Sequence, residues 1–161
     1  MSLIGWSLGG IYARALARNF PWAVRDVITL GSPFRLSDDG QSHASRVFNL
    51  YSRLHTHRAT TPLDMEREPL RMPATSIYSR YDGIVAWQAC LDLPSSHAEN
   101  IAVLGSHFGY GHNPAVIFAV ADRLAQPLNG WKPFQPPRAL RRLFPRPDTP
   151  PHPIAAAAAD F

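Results

Sequence analysis

Apolar and polar positions alternate along this chain in two rhythms. Residues 2–5, Val27–Leu30, Ala74–Tyr78 and Ile101–Leu104 are short apolar runs, several of them closed by turn signals such as Gly31, Pro33 and Asp82-Gly83. Runs of that length and composition predict strands, most simply buried parallel ones. Between them the spacing becomes helical. Over residues 8–19, Leu8, Tyr12, Ala15 and Leu16 fall at i, i+4, i+7 and i+8 and predict one buried face. Arg14 and Arg18 share another face, expected to be solvated, and Pro21 follows as a stop. The stretch NPAVIFAVADRLAQP predicts a second helix, with Asn113 as cap, Pro114 in the first turn and Pro127 past the end. Strands alternating with helices predict an α/β fold, a parallel sheet with flanking helices.

Two regions depart from that alternation. Phe34 to Met72 is too long for a plain loop. SHASRVFNLYSRLH within it predicts a helix with Val47, Leu50, Tyr51 and Leu54 on one face. Residues 34–72 are therefore either a cap over a site or a long crossover containing a helix. From Trp131 onward, prolines at 133, 136, 137, 145, 147, 150, 151 and 153 interrupt any long element, and an alanine run follows. The expected division is a domain over 1–130 and a Pro/Ala-rich disordered tail over 131–161. RALRRLF in the tail could form a basic amphipathic turn or two, on a solvated segment rather than a membrane-bound one.

Composition narrows the classes of function. A chain of 161 residues with 45% hydrophobic residues can bury one core. The net charge of +4 suggests anionic partners until it is located. Lys132, Arg138, Arg141, Arg142 and Arg146 against Asp148 and Asp160 put +3 in the tail, so residues 1–130 carry only +1. The globular part has no nucleic-acid footprint. Cys90 is the only cysteine, so no internal disulfide forms. No run is long enough for stable membrane insertion, and no secretory signal opens the chain. The expected compartment is the cytoplasm.

Chemistry concentrates at three places. Gly5-Trp6-Ser7-Leu8-Gly9 matches G-x-S-x-G, between a predicted strand and a predicted helix. It is either a nucleophile elbow or a Gly/Ser connection packing a helix closely on a strand. In an elbow, the sharp turn lifts the serine hydroxyl above the sheet, and the next N–H, that of Leu8, becomes an oxyanion donor. A serine needs a base to take its proton, and the base needs an orienting acid. Asp82 lies just past the Ala74–Tyr78 strand, and His107 just past the Ile101–Leu104 strand. All three residues fall at carboxyl ends of strands, where open parallel sheets place their ligands.

GWSLGG, TLGSPF, SRYDGIV and GSHFG together resemble the α/β-hydrolase superfamily, most of all bacterial lipases and esterases, over residues 2–130. The resemblance implies Ser7 as nucleophile, Asp82 as acid and His107 as general base. It implies acyl transfer to water from a small-molecule or lipid ester, with no metal or organic cofactor. Members of the family carry strands before the elbow strand, and a loop supplying a second oxyanion donor. The expected fold is thus the C-terminal half of an α/β-hydrolase, its N-terminal strands missing. An uncovered sheet edge would then invite self-association. The alternatives are an inactive truncated remnant, or an acyltransferase or thioesterase. His112 rivals His107, but it stands next to a helix N-cap, where the dipole disfavours the imidazolium a base must become. Asp92 rivals Asp82 from a less strand-like stretch. His55 and His57 do not share a helix face and lack convincing co-ligands. Trp6 and Phe108 either line an acyl pocket or simply pack.

Overall fold

A computed structural model of the chain describes residues 1–35 and 68–150. Four strands, β1 (Ser2–Trp6), β2 (Asp26–Leu30), β3 (Ala74–Tyr78) and β4 (Ala98–Ala102), lie in the order β1-β2-β3-β4. All three pairings are parallel, with Ser2 opposite Asp26, Val27 opposite Ala74 and Ala74 opposite Ala98. Helix α1 (Leu8–Asn19) joins β1 to β2, and α2 (Pro114–Leu124) follows β4. Val27 and Ala74 pack with Ala13 and Ala17 of α1. Val27's chain neighbour Ile28, with Ile77 and Ile101, packs instead with Ala115, Val116 and Ala119 of α2. Consecutive strand residues thus enter opposite cores, as the pleat requires. The result is an α/β fold with a parallel sheet between flanking helices.

The expected α2 forms from its signals. Asn113 Oδ1 accepts from Ala115 N at 2.9 Å, and Pro114 opens the helix where no N–H is needed. β4 begins earlier than the apolar run predicts, because Ala98, Glu99 and Asn100 already pair with β3. The predicted helix within residues 42–55, with Val47, Leu50, Tyr51 and Leu54, lies outside the described residues. So does most of the segment read as cap or crossover.

α1 buries a different face from the one its spacing predicts. Gly10, Ala13, Arg14 and Ala17 are buried, while Tyr12 and Leu16 are 39% and 47% exposed. The reason is close approach. A Cβ on Gly5 would lie 2.4 Å from Gly10 Cα, and one on Gly10 would lie 2.0 Å from Ser32 Oγ. The helix is pressed onto β1 and β2 along its smallest residues, and the larger apolar side chains are turned outward. Arg14 rides on the same face and is 1% exposed. Its guanidinium meets Asp92 through two hydrogen bonds, of 2.7 and 3.1 Å, and covers the Phe34 ring at 3.8 Å. The expected solvated arginine is a core residue.

The tail also departs from expectation. Residues 131–150 run back over the domain and include a 3₁₀ helix, Arg138–Leu143. Phe134 and Phe144 join the α2-side core, their rings 4.9 Å apart. Burying an aromatic ring contributes about 1.5–3 kcal/mol, enough to outweigh the prolines' interruption of regular structure. Residues 151–161 lie outside the described residues. At the far end Asp148 accepts from the Tyr78 hydroxyl at 2.9 Å and pairs with Arg80. The Arg80 hydrogen bond holds the Asp148 carboxyl below the usual carboxylate range. Its contribution is therefore complete above the unfolded pKa of about 4 and is lost as pH falls through the lower folded value. Amide protection factors should fall at Arg146, Asp148 and Thr149 below about pH 4, while the segment anchored by Phe134 and Phe144 stays protected. Asp148→Ala should release the same residues at neutral pH. Protection unchanged in the variant would show that the carboxylate does not hold the tail.

Among the described residues no helix is long and apolar enough to cross a membrane.

Candidate active site

β1 ends at Trp6 and α1 begins at Leu8, so the whole reversal from strand to helix falls on Ser7. Its backbone sits at φ 53°, ψ −124°, and it is the one non-glycine residue with positive φ among the described residues. Such a conformation costs about 1–3 kcal/mol and persists only when its surroundings enforce it. Here Ser7 N donates to Leu30 O of β2 at 2.9 Å, and Ser7 O accepts from Gly10 N at 3.1 Å. The Gly5–Gly10 contact leaves no room for the turn to relax. The close-packed glycines are thus Gly5 and Gly10. Gly9, which completes the sequence pattern, has nothing within 4 Å of its Cβ position. A serine at a helix N-cap usually turns its hydroxyl back onto the first turn. Ser7 does not, and its side chain makes no cap hydrogen bond. Leu8 opens α1, so its N–H has no carbonyl within the helix to donate to.

Asp82 follows β3 in a turn that Gly83 closes at φ 79°. Its Oδ1 accepts from Ile84 N at 3.0 Å and Val85 N at 2.7 Å, which fixes the plane of the carboxylate. His107 opens a 3₁₀ helix, His107–His112, after β4. Two bonds tie it to Asp82: His107 N donates to Asp82 O at 2.9 Å, and Nδ1 lies 2.8 Å from Asp82 Oδ2. Both side chains are buried, at 4% and 3% exposure. An ionised carboxylate only accepts, so Nδ1 carries the hydrogen, and the neutral imidazole keeps its lone pair on Nε2.

Trp6 links the two loops. Its indole Nε1 donates to His107 O at 3.2 Å, and its ring lies 5.4 Å from the imidazole. The residue beside Ser7 thereby holds the backbone of His107. Among the described residues no hydrogen bond joins Ser7 to the imidazole. Phe108 stands edge-on to Trp6 at 6.1 Å and is 71% exposed, so the two rings form an apolar rim beside His107.

The rival residues are placed elsewhere. His112 is exposed and has no carboxylate partner among the described residues. Asp92 is committed to Arg14. His55 and His57 lie outside the described residues, among which no group of His, Cys, Asp and Glu is arranged for a metal. Cys90 is buried near Asp82, and burial, then that charge, pushes its thiol well above the usual range, so it stays protonated. Sequence reasoning missed Trp6 as a link and Tyr110 as a neighbour of Asp82. A tyrosine one turn after His107, in the same short helix, was the available signal for the second.

No family model matches the chain, and no curated protein matches it. Among solved structures it is similar to a type II thioesterase, BorB from the borrelidin biosynthetic cluster, at 20% identity and a TM-score of 0.44. The match covers 75% of this chain and 61% of that one.

Proposed function

We propose that this chain is a serine hydrolase of the α/β-hydrolase type, cleaving carboxylic esters or thioesters through an acyl-enzyme. The observation that carries the reading is the buried Asp82–His107 hydrogen bond of 2.8 Å, coupled through Trp6 to a serine held at φ 53° whose side chain makes no cap hydrogen bond to its own helix. In this reading Ser7 Oγ attacks the acyl carbon as His107 Nε2 takes its proton. Asp82 keeps the imidazole in the tautomer that can accept and stabilises the cation that forms. The carbonyl oxygen becomes an oxyanion facing the Leu8 N–H at the start of α1, where the helix dipole also favours negative charge. His107 then protonates the leaving oxygen or sulfur, and water repeats the sequence on the acyl-enzyme. In this reading the Ser7–His107 hydrogen bond forms in the substrate complex, since catalytic hydrogen bonds are often long or poorly aligned in the free enzyme. Trp6 and Phe108 offer the acyl chain an apolar surface.

A fluorophosphonate probe tests the reading. Labelling at Ser7 is expected, and Ser7→Ala should abolish it. A folded wild-type chain that remains unlabelled would favour a second reading, an inactive module that pairs through β1. That reading is supported by the position of β1 at the edge of the described sheet and by its outward Ile4, 49% exposed.

A further inference from the structure

Tyr110 belongs to the same short helix as His107 and has no part in the mechanism above. It is 2% exposed, and its hydroxyl makes no hydrogen bond of normal geometry among the described residues, although the Asp82 side chain and the Ser79 backbone are the polar groups beside it. A buried hydroxyl left unpaired is costly and uncommon. Its surroundings indicate what it serves. Gly31 ends β2 in the left-handed region, at φ 51°. A Cβ there would lie 2.6 Å from Tyr110 Cε2, 3.0 Å from Tyr110 Cζ and 2.9 Å from Asp82 Oδ2. The ring carbon that bears the hydroxyl and the carboxylate oxygen therefore flank one point, left open because residue 31 has no side chain. The phenol ring stands at 90° to the imidazole, 6.1 Å away.

Asp82 has one acceptor position to spare. Among the described residues Oδ1 takes Ile84 N and Val85 N, while Oδ2 takes only His107 Nδ1. A carboxylate offers about four acceptor positions. Burial, then the Asp82 charge, pushes the Tyr110 hydroxyl well above the usual tyrosine range, so it is a donor at any working pH. The titratable groups facing it among the described residues are Asp82, His107 and Cys90, and the Cys90 thiol stays neutral.

We infer that Tyr110 is a positioning residue: by a small rotation of its ring, its hydroxyl donates to the spare lone pair of Asp82 Oδ2, locking the carboxylate against His107 and moderating the basicity of the imidazole. A donor on that oxygen withdraws charge from the bond His107 shares, so the imidazolium is stabilised less. The inference rests on the triad reading, and its test separates the two.

The titration of His107 is followed by NMR in the full chain, in Tyr110→Phe, and in Tyr78→Phe as a control. The control also removes a buried tyrosine hydroxyl, one that pairs with Asp148 instead. Tyr110→Phe should raise the His107 pKa by about half to one pH unit, roughly a 3–10-fold gain in proton affinity. It should slow fluorophosphonate labelling of Ser7 at neutral pH by a similar factor, recovering at higher pH. Tyr78→Phe should leave the His107 titration where it is. Labelled Ser7 with an unmoved His107 titration in Tyr110→Phe overturns the role of Tyr110 alone. So does an equal shift in both variants. Unlabelled Ser7 in the folded wild-type chain overturns the hydrolase reading and the positioning role with it.

Discussion

Asp82→Asn should lower kcat for a p-nitrophenyl ester by about 10⁴-fold, with little change in KM or melting temperature. The substitution keeps an acceptor where Oδ1 takes Ile84 N and Val85 N, so the turn after β3 survives. What changes is the atom facing His107 Nδ1, which becomes an amide donor instead of a carboxylate oxygen. An amide donor there selects the imidazole tautomer with its lone pair on Nδ1 and its hydrogen on Nε2. That tautomer cannot take the Ser7 proton. The chemical step would then collapse, while the apolar rim at Trp6 and Phe108 is untouched. Asn at 82 also removes the charge that stabilises the imidazolium, which adds to the same loss. Steady-state kinetics with a thermal melt of each variant checks the prediction. An Asp82→Asn chain that keeps its rate to within tenfold would remove Asp82 from the mechanism, and a chain that loses its fold would show the carboxylate to be structural.

The placement of Asp82 and His107 was legible in the sequence because each lies in the loop that follows a strand, and strand ends need only the apolar runs and their turn signals. Parallel order followed from the same runs, since strands separated by helical segments must cross over. The buried face of α1 was not legible. Apolar periodicity assumes that the largest apolar residues pack inward, but the Gly5–Gly10 contact brings the helix so near the sheet that only small residues fit beneath it. Which glycine is crowded depends on the partner strand, not on the G-x-S-x-G spacing. The course of residues 131–150 escaped for a related reason. Proline density argues against regular elements, and it says nothing about whether Phe134 and Phe144 find an open core beside α2. The spacing of Tyr110 from His107 was its only signal, and the meeting of its ring with Asp82 at Gly31, far from both in the chain, was not legible.

Arg14→Ala should destabilise the fold by about 3–5 kcal/mol, lowering Tm by on the order of 10 °C for a chain of this size. Arg14 and Asp92 are 1% and 2% exposed, so neither has water to fall back on. Truncating the arginine would leave the Asp92 carboxylate buried, with the Leu93 N–H at 2.9 Å as its remaining donor among the bonds described here. Asp92 cannot easily move away, because its backbone is clamped to Asn100 by bonds of 2.7 and 3.0 Å. The cost comes from the stranded charge and not from the lost attraction alone, and that distinction can be measured. Asp92→Leu should also be destabilising, for it removes the carboxylate that accepts two hydrogen bonds from the buried guanidinium. The double variant Arg14→Met, Asp92→Leu should recover most of the loss, since apolar pairs of similar volume often replace buried ion pairs at little cost. Urea unfolding of the wild type, Arg14→Met, Asp92→Leu and the double variant completes the cycle. Losses that simply add in the double variant would mean that the two side chains act separately. Recovery of stability with slow labelling at Ser7 would instead show that the pair sets the pose of α1, whose first residue carries the Leu8 N–H, more than it holds the fold together.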